Sequence, residues 1–246
     1  MNSSDPRLAQ LTTNLSHVRR RMQSACERVG RPSDSVRLVA VTKTIPVDAM
    51  HIFLTVLGAD ATHPADFGEN RPQQLASRAQ ELAGSAIHWH FIGHLQRNKV
   101  DLAVAHASLV HSVDSERLLQ ALNAEAGKAG RTLPVLLEVN VSGEAQKDGF
   151  APADLEARFE LLARQPHLDI QGLMTMAPLA EDPELARPTF CGLRELRDRL
   201  AARSLPGLTL PHLSMGMSGD FEVAIEEGAT LVRVGSALWE DLPTSS

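Results

Sequence analysis

The chain has 246 residues, of which 43% are hydrophobic and 22% charged, as expected for a globular protein with one large α/β domain or two small ones. The formal net charge is −6 and no long basic run occurs, so we expect no binding of nucleic acid or anionic membranes through bulk charge. The first residues do not resemble a signal peptide, and no uncharged apolar stretch reaches the roughly 20 residues of a membrane helix.

The predicted elements begin with a helix and continue as strands that alternate with helices. Apolar residues at helical spacing predict a helix over Asp5–Val29, just before Gly30. Short apolar runs predict strands at Arg37–Lys43, Ala65–Gly68, His88–Gly93, Leu109–Val113, Pro134–Asn140, Ile170–Met176, His212–Met217 and Leu231–Gly235. Helices between them are predicted at Ser115–Gly127, Asp154–Arg164 and Asp220–Glu227.

Eight strands that alternate with helices predict a parallel sheet, and eight units in about 210 residues fit a (β/α)8 barrel. We therefore expect an α/β protein in which residues 1–246 form one TIM barrel with an extra N-terminal helix; a doubly wound open sheet is the alternative. Functional side chains of such a barrel lie at the C-terminal ends of its strands. The polar residues predicted there are Lys43, Glu69, Asn70, His94, Asn140, Ser218, Gly235 and Ser236.

Lys43 ends a predicted buried strand, where lysine is uncommon. One interpretation is a lysine whose stem is buried and whose amine reaches solvent. The other is a partly desolvated amine that loses its proton and attacks an aldehyde, forming a Schiff base.

Two turns of small residues follow the last two predicted strands, Ser218-Gly219 and Gly235-Ser236. Such pairs mark ordinary turns, but this is also where these barrels bind phosphate, because glycine admits an anion to backbone N–H groups and serine adds a hydroxyl. Arg233 lies within the apolar run "TLVRVGSALW" and needs an acceptor, either an internal carboxylate or a ring nitrogen of a ligand. A lysine for an aldehyde, a phosphate site and an arginine for a ring nitrogen together describe pyridoxal 5′-phosphate (PLP).

The chain resembles the PLP homeostasis protein family (the YggS/PROSC family) in the segments "LVAVTKT", "DFGEN", "WHFIGHLQRNK", "HSVDS", "VLLEVNVSGEAQKDGF", "GLMTMAP" and "LSMGMSGDFEVAIEEGATLVRVGSALW". The resemblance implies a barrel of the alanine racemase N-terminal type, an internal aldimine on Lys43, Arg233 at the pyridine nitrogen, and the phosphate on the serine and glycine residues. The cofactor-binding residues that it implies are Lys43, Asn70, Ser214, Ser218, Gly219, Arg233, Gly235 and Ser236.

The resemblance implies a non-enzymatic protein that binds PLP reversibly and whose partners include apo-PLP enzymes. Arginine only donates hydrogen bonds, so a pyridine nitrogen beside Arg233 stays unprotonated, and the ring is then a poorer electron sink. The alternative is an amino-acid racemase with weak or one-base activity. Alanine racemases use a second base, a tyrosine from a partner's extra domain, whereas this chain has no tyrosine and ends just after the last predicted strand. We therefore expect a monomer.

Two further expectations rest on cysteine and histidine. Cys26 and Cys191 lie far apart and outside any CxxC motif, so we expect free thiols and a cytoplasmic location.

A metal-dependent hydrolase is a third hypothesis, because "HWHFIGH" carries three histidines and an HxH pair points to one face of a strand. The histidines are His88, His90 and His94, and the only further candidate ligands are Asp114 and His212, so we expect no metal site.

The sequence departs from the family pattern at three places. "ADATHP" precedes "DFGEN", Asp148 stands in "QKDGF" where a small serine is usual, and "ALWED" replaces the usual ending. We expect the second loop and the last helix to differ from the family, and none of the three places touches Lys43 or Arg233.

Overall fold

The computed structural model describes residues 5–144 and 146–243. Eight parallel strands pair in chain order and close into a barrel, in which the last strand also pairs with the first. This arrangement confirms the predicted (β/α)8 fold and excludes the open sheet. The strands are Arg37–Val41 (β1), Ala65–Glu69 (β2), Ile87–Phe91 (β3), Leu109–Val113 (β4), Leu133–Glu138 (β5), Leu168–Met174 (β6), His212–Ser214 (β7) and Leu231–Val234 (β8).

The helices surround this barrel, and the predicted ones are confirmed with their ends moved by one or two residues. They are Pro6–Arg28 (α1), Val47–Leu57 (α2), Pro72–Glu81 (α3), Val100–His106 (α4), Glu116–Lys128 (α5), Pro152–Leu162 (α6), Arg187–Ala201 (α7), Phe221–Glu226 (α8) and Ser236–Trp239 (α9). Within the described residues, no helix combines the length and the apolar character that crossing a membrane requires.

Most of the predicted strands extend too far at their C-terminal ends. The first strand ends at Val41 rather than Lys43, and the seventh ends at Ser214 rather than Met217. Residues beyond the strand ends are still buried, as Met215 is, so the apolar pattern continues after the pairing stops. At Gly216 a positive φ of 91° turns the chain away from the seventh strand.

The interior of the barrel is partly apolar and partly polar. Its small apolar cluster consists of Val39, Leu109, Leu136, Met174 and Leu231. Beside that cluster lie buried side chains of charged and hydroxyl-bearing residues, among them Arg233 and Ser214. Since a buried polar group needs a partner, these side chains must bond to one another or to a ligand.

The N-terminal helix fixes the last helix over the barrel mouth. The buried Asn14 of α1 donates from Nδ2 to the carbonyl oxygens of Leu238, at 3.0 Å, and Glu240, at 2.9 Å. Trp239 in α9 donates from Nε1 to the Val41 carbonyl at 2.7 Å, which ties α9 to the end of β1. The first three residues of "ALWED" thus lie in a short helix that is held from both sides, and Glu240 and Asp241 follow it.

Candidate functional site

A cavity of about 1080 Å³ opens at the C-terminal end of the barrel. All but one of the predicted cofactor-binding residues line it: Lys43, Asn70, Ser218, Gly219, Arg233, Gly235 and Ser236. The exception, Ser214, lies deeper in the barrel and is fully buried. The strand ends therefore bring together residues that are up to 193 positions apart in the chain.

Arg78 holds the segment that carries Lys43 from beneath. Its Nη1 donates to the Thr42 carbonyl at 2.6 Å, and its Nη2 donates to the Ile45 carbonyl at 2.5 Å. The same guanidinium forms a buried ion pair with Glu69, which also accepts a hydrogen bond from the Thr42 hydroxyl. The backbone on both sides of Lys43 is thereby fixed, and Glu69 lies under the mouth rather than in it.

Lys43 itself is exposed, so the expected burial of its stem is wrong. The reason is that β1 ends two residues earlier and the chain then turns outward, while the Lys43 carbonyl accepts a hydrogen bond from Gln74 Nε2 at 3.0 Å. Its side chain lines the cavity from the rim. Any desolvation of this amine has to come from a ligand that fills the cavity.

Backbone N–H groups converge on the hydroxyl of Ser218. Its Oγ accepts from Gly235 N at 3.1 Å and from Ala237 N at 3.4 Å, where α9 begins. Both donors lie at the end of β8, as the predicted phosphate site requires. Oxygen acceptors are favoured at such a position, so a phosphate oxygen can take the place of the hydroxyl.

Arg233 lies at the floor of the cavity and is only 4% exposed. Its Nη1 donates to Ser214 Oγ at 2.6 Å, and its Nη2 donates to the Thr175 carbonyl at 3.0 Å. No carboxylate of the described residues lies within ion-pair distance of Arg233, so the internal ion pair that the sequence left open is not formed. Burial lowers the pKa of Arg233 to about 10, which still leaves it charged at neutral pH with donors for a ligand.

A hydrogen-bonded chain continues from Ser214 through the barrel interior. Ser214 Oγ lies 2.8 Å from His111 Nδ1, His111 Nε2 lies 2.8 Å from His90 Nδ1, and His90 Nε2 lies 2.9 Å from Asp66 Oδ1. One proton arrangement satisfies every member: because Ser214 accepts from Arg233, it donates to His111, which donates to His90, which donates to the carboxylate. Two neutral histidines therefore connect the arginine to Asp66.

The electrostatics agree with neutral histidines. Burial lowers the pKa of His90, and burial together with the neighbouring His90 lowers the pKa of His111 well below its usual value. Burial alone would raise the pKa of Asp66, but hydrogen bonds from His90 and Arg37 hold it below its usual value. The sequence analysis did not predict this series of hydrogen bonds. The signal for it was a histidine within each of two neighbouring apolar strands, His90 in β3 and His111 in β4.

The three-histidine metal hypothesis is wrong. His88 and His90 both approach Asp66, with nitrogen–oxygen distances of 3.4 and 2.9 Å. His94 follows the end of β3, lines the cavity and approaches Asp114 and Asp148 instead of Asp66. The strand separates the HxH pair from the third histidine, so the set cannot share one ion.

Asn70 lines the cavity and carries a buried acceptor that is not paired within the described residues. Its Oδ1 is buried and finds no hydrogen-bond donor among residues 5–144 and 146–243. Its backbone is held closely, because a Cβ at Gly93 would lie 2.2 Å from the Asn70 carbonyl oxygen. A buried acceptor without a donor is costly unless a ligand supplies one. The cavity thus offers a charged donor, an amine and an anion site, a set that fits a phosphorylated aromatic aldehyde.

Comparison with known proteins identifies the family to which the chain belongs. The family model described as "Alanine racemase, N-terminal domain" matches residues 13–243. A pyridoxal phosphate homeostasis protein of Aquifex aeolicus is 43% identical over 225 residues, which cover 92% of this chain and 95% of that protein. The chain belongs to the pyridoxal phosphate homeostasis protein family. A member from Pseudomonas aeruginosa is 40% identical over 232 residues, covering 94% of this chain and 96% of its own.

Solved structures extend the match to this family's fold. PipY of Synechococcus elongatus with PLP bound superimposes with a TM-score of 0.78 at 33% identity, covering 93% of this chain and 99% of that chain. An alanine racemase of Clostridium difficile superimposes with a TM-score of 0.71 at 16% identity and covers 96% of this chain but 57% of that chain. The racemase comparison shows that the family shares the racemase barrel.

Proposed function

We propose that this protein binds PLP in the mouth cavity and acts in PLP homeostasis without catalysing a reaction. The observation that carries the proposal is that a buried, charged arginine without a carboxylate partner, an anion site and a lysine line one cavity. Bound PLP supplies a reactive aldehyde and an electron-withdrawing ring. The fold, the cavity and the relatives' names support this function.

Each group of PLP has a counterpart in the cavity. We assign the aldehyde to Lys43, whose amine would hold it as a Schiff base with release of water. Arg233 would donate to the pyridine nitrogen, and the N–H groups around Ser218, with Gly235 and Ser236 alongside, would hold the phosphate. Asn70 lines the same cavity and would contact the bound ligand there.

The arginine also argues against racemisation. With a pKa of about 10, the Arg233 guanidinium keeps its proton at neutral pH, so it would donate a hydrogen bond to the ring nitrogen without protonating it. The chain has no tyrosine to act as a second base. A weak one-base racemase is the second candidate, supported by the shared barrel alone, and incubation with L-alanine followed by a D-alanine assay tests it.

We propose further that residues 1–246 act as one PLP-binding domain and as a monomer. The acceptors of PLP would be amines of apo-PLP enzymes, since an aldehyde bound reversibly to one amine can pass to another. Two cysteines, both free thiols, support a location in the reducing cytoplasm. Size-exclusion chromatography with light scattering tests the monomer.

The decisive experiment compares the wild type with Lys43→Ala after addition of PLP, using Lys128→Ala on the exposed face of α5 as the matched control. We expect a visible imine absorbance band in the wild type and the control, and none in Lys43→Ala. Borohydride reduction followed by mass spectrometry should place the covalent adduct on Lys43. An unchanged band in Lys43→Ala, or an adduct on another lysine, would remove Lys43 from the site.

A further inference from the structure

Three side chains from different loops meet at the rim of the cavity, outside the proposed PLP contacts. His94 follows β3, Asp114 follows β4, and Asp148 lies in the loop after β5. His94 Nδ1 lies 3.3 Å from Asp114 Oδ2 and 3.2 Å from Asp148 Oδ2. One donor atom of each residue lies within 4.8 Å of the others.

These contacts are close without being hydrogen bonds. His94 forms no hydrogen bond with either aspartate in the described structure, and a single N–H on Nδ1 could serve only one of two oxygens. Ligands that surround a divalent ion at about 2.0–2.1 Å in a tetrahedron lie about 3.3 Å apart. The two nitrogen–oxygen distances match that spacing, and one donor atom of each of the three residues lies within 4.8 Å of the other two.

Among the described residues, His94 is the only basic side chain within ion-pair distance of Asp114 or Asp148. No lysine or arginine of the described chain lies within ion-pair distance of Asp114 or Asp148. Glu138, at the end of β5, is 5% exposed and lines the same cavity. Its carboxylate makes no hydrogen bond or ion pair with any described residue. Two aspartates therefore lie against one imidazole, and the only cationic groups that act on Glu138 among its main neighbours are Arg233 and His94.

The pKa of Glu138 is affected by the charges of the two aspartates. Burial, and then the charge of Asp114, raise the pKa of Glu138 to about 7, and Asp148 acts in the same direction. Arg233 and His94 act in the opposite direction but do not cancel these effects, so the charges of both aspartates reach Glu138. A cation at their meeting point would relieve the repulsion among all three groups.

The loops that carry the three side chains are fixed. Asn140 Nδ2 donates to the carbonyls of Glu144, at 2.8 Å, and Lys147, at 3.1 Å, which folds the loop before Asp148. Phe150 N then donates to the Glu138 carbonyl at 2.8 Å. On the other side, the Ser112 hydroxyl donates to the Gly93 carbonyl and links the ends of β3 and β4. The backbone around the three side chains is therefore held in place before any ion binds.

We propose that His94, Asp114 and Asp148 form a binding site for a divalent transition-metal ion at the rim of the PLP cavity. A mixed nitrogen and oxygen set suits Zn²⁺ and Co²⁺, whereas Mg²⁺ and Ca²⁺ prefer oxygen ligands alone. Three protein ligands leave a position for water, and Glu138, which lines the same cavity, can accept a hydrogen bond from that water. The site is independent of the PLP contacts and does not require them.

The test uses chelator-treated full-length protein without PLP, titrated with Co²⁺ while the visible d–d absorbance is recorded. We expect ligand-field bands that saturate at one ion per chain and disappear when Zn²⁺ displaces Co²⁺. His94→Ala and Asp148→Ser change exposed side chains, so both variants should fold, and each should weaken Co²⁺ binding at least tenfold, which the loss of an outer-shell partner alone can cost.

His63→Ala is the matched control, because His63 lies beside a single aspartate, Asp60, at 3.7 Å on an exposed loop. We expect its Co²⁺ affinity to equal that of the wild type. The proposal is overturned if the wild type shows no ligand-field bands with millimolar Co²⁺. It is equally overturned if His94→Ala and Asp148→Ser bind as the wild type does, or if His63→Ala removes the bands.

Discussion

Replacing Arg78 should destabilise the protein more than replacing any exposed charged residue, because it would leave the buried carboxylate of Glu69 without its ion-pair partner. Arg78 is 6% exposed and its partner Glu69 is fully buried. Glu69 Oε2 already finds no hydrogen-bond donor within the described ranges. Breaking a buried pair by removing one partner costs about 3–5 kcal/mol. For Arg78→Met we therefore expect a loss of about 3–5 kcal/mol in the free energy of unfolding.

Urea denaturation and thermal unfolding measure this loss. For a chain of this size the expected fall in Tm is roughly 6–20 °C. The control is Arg158→Met, the same substitution in the exposed pair of Arg158 with Glu116, which should cost no more than about 1 kcal/mol.

A double variant isolates the cause. Glu69→Gln added to Arg78→Met removes the stranded charge and should recover part of the lost stability, although the Ile45 carbonyl still lacks its donor. If the double variant is as unstable as Arg78→Met, the loss does not come from the carboxylate. A cost below about 1 kcal/mol for Arg78→Met would refute the reasoning altogether.

Three further predictions concern the barrel interior and the mouth. Because folding raises the pKa of Glu138 from 4.5 to about 7, its protonation stabilises the fold fully below about pH 4.5, and this contribution, roughly 3 kcal/mol, is lost as the pH rises to about 7. Urea denaturation from pH 5 to 8 without metal should show stability falling more steeply in the wild type than in Glu138→Gln; equal slopes would contradict the assignment. His111→Leu leaves the Ser214 hydroxyl and a His90 nitrogen unpaired, so it should lower the free energy of unfolding by about 2–6 kcal/mol and change the spectrum of bound PLP. His111→Gln can accept and donate, so it should keep most of the stability and of the spectrum. If glutamine restores neither, the hydrogen-bonded chain is refuted. Gly93→Ala places a Cβ 2.2 Å from the Asn70 carbonyl oxygen and should lower the free energy of unfolding by at least about 1–3 kcal/mol, measured by thermal unfolding. The control Gly219→Ala meets open space and should change it by less than about 0.5 kcal/mol. Equal effects of the two substitutions would show that the Asn70 backbone moves to make room.

Where the sequence failed, it failed at the ends of elements and in the partners of buried polar groups. The predicted strands extend into the mouth because residues such as Met215 are buried there without being paired. Arg233 was recognised as needing an acceptor, but periodicity cannot say which one. Ser214 was grouped with the phosphate contacts, and the structure instead places it against Arg233.

The sequence by itself determined the barrel, the extra helix and most of the residues at the mouth. Alternation of apolar runs with helical stretches has few solutions, and parallel strands always bring their C-terminal ends to one side. The tertiary structure alone decided that Lys43 lies exposed above a clamp from Arg78, that His90 and His111 connect Arg233 to Asp66, and that His94, Asp114 and Asp148 meet at the rim. Those contacts join residues far apart in the chain, and their geometry depends on how adjacent strands pair in register, which a local pattern of side chains does not encode.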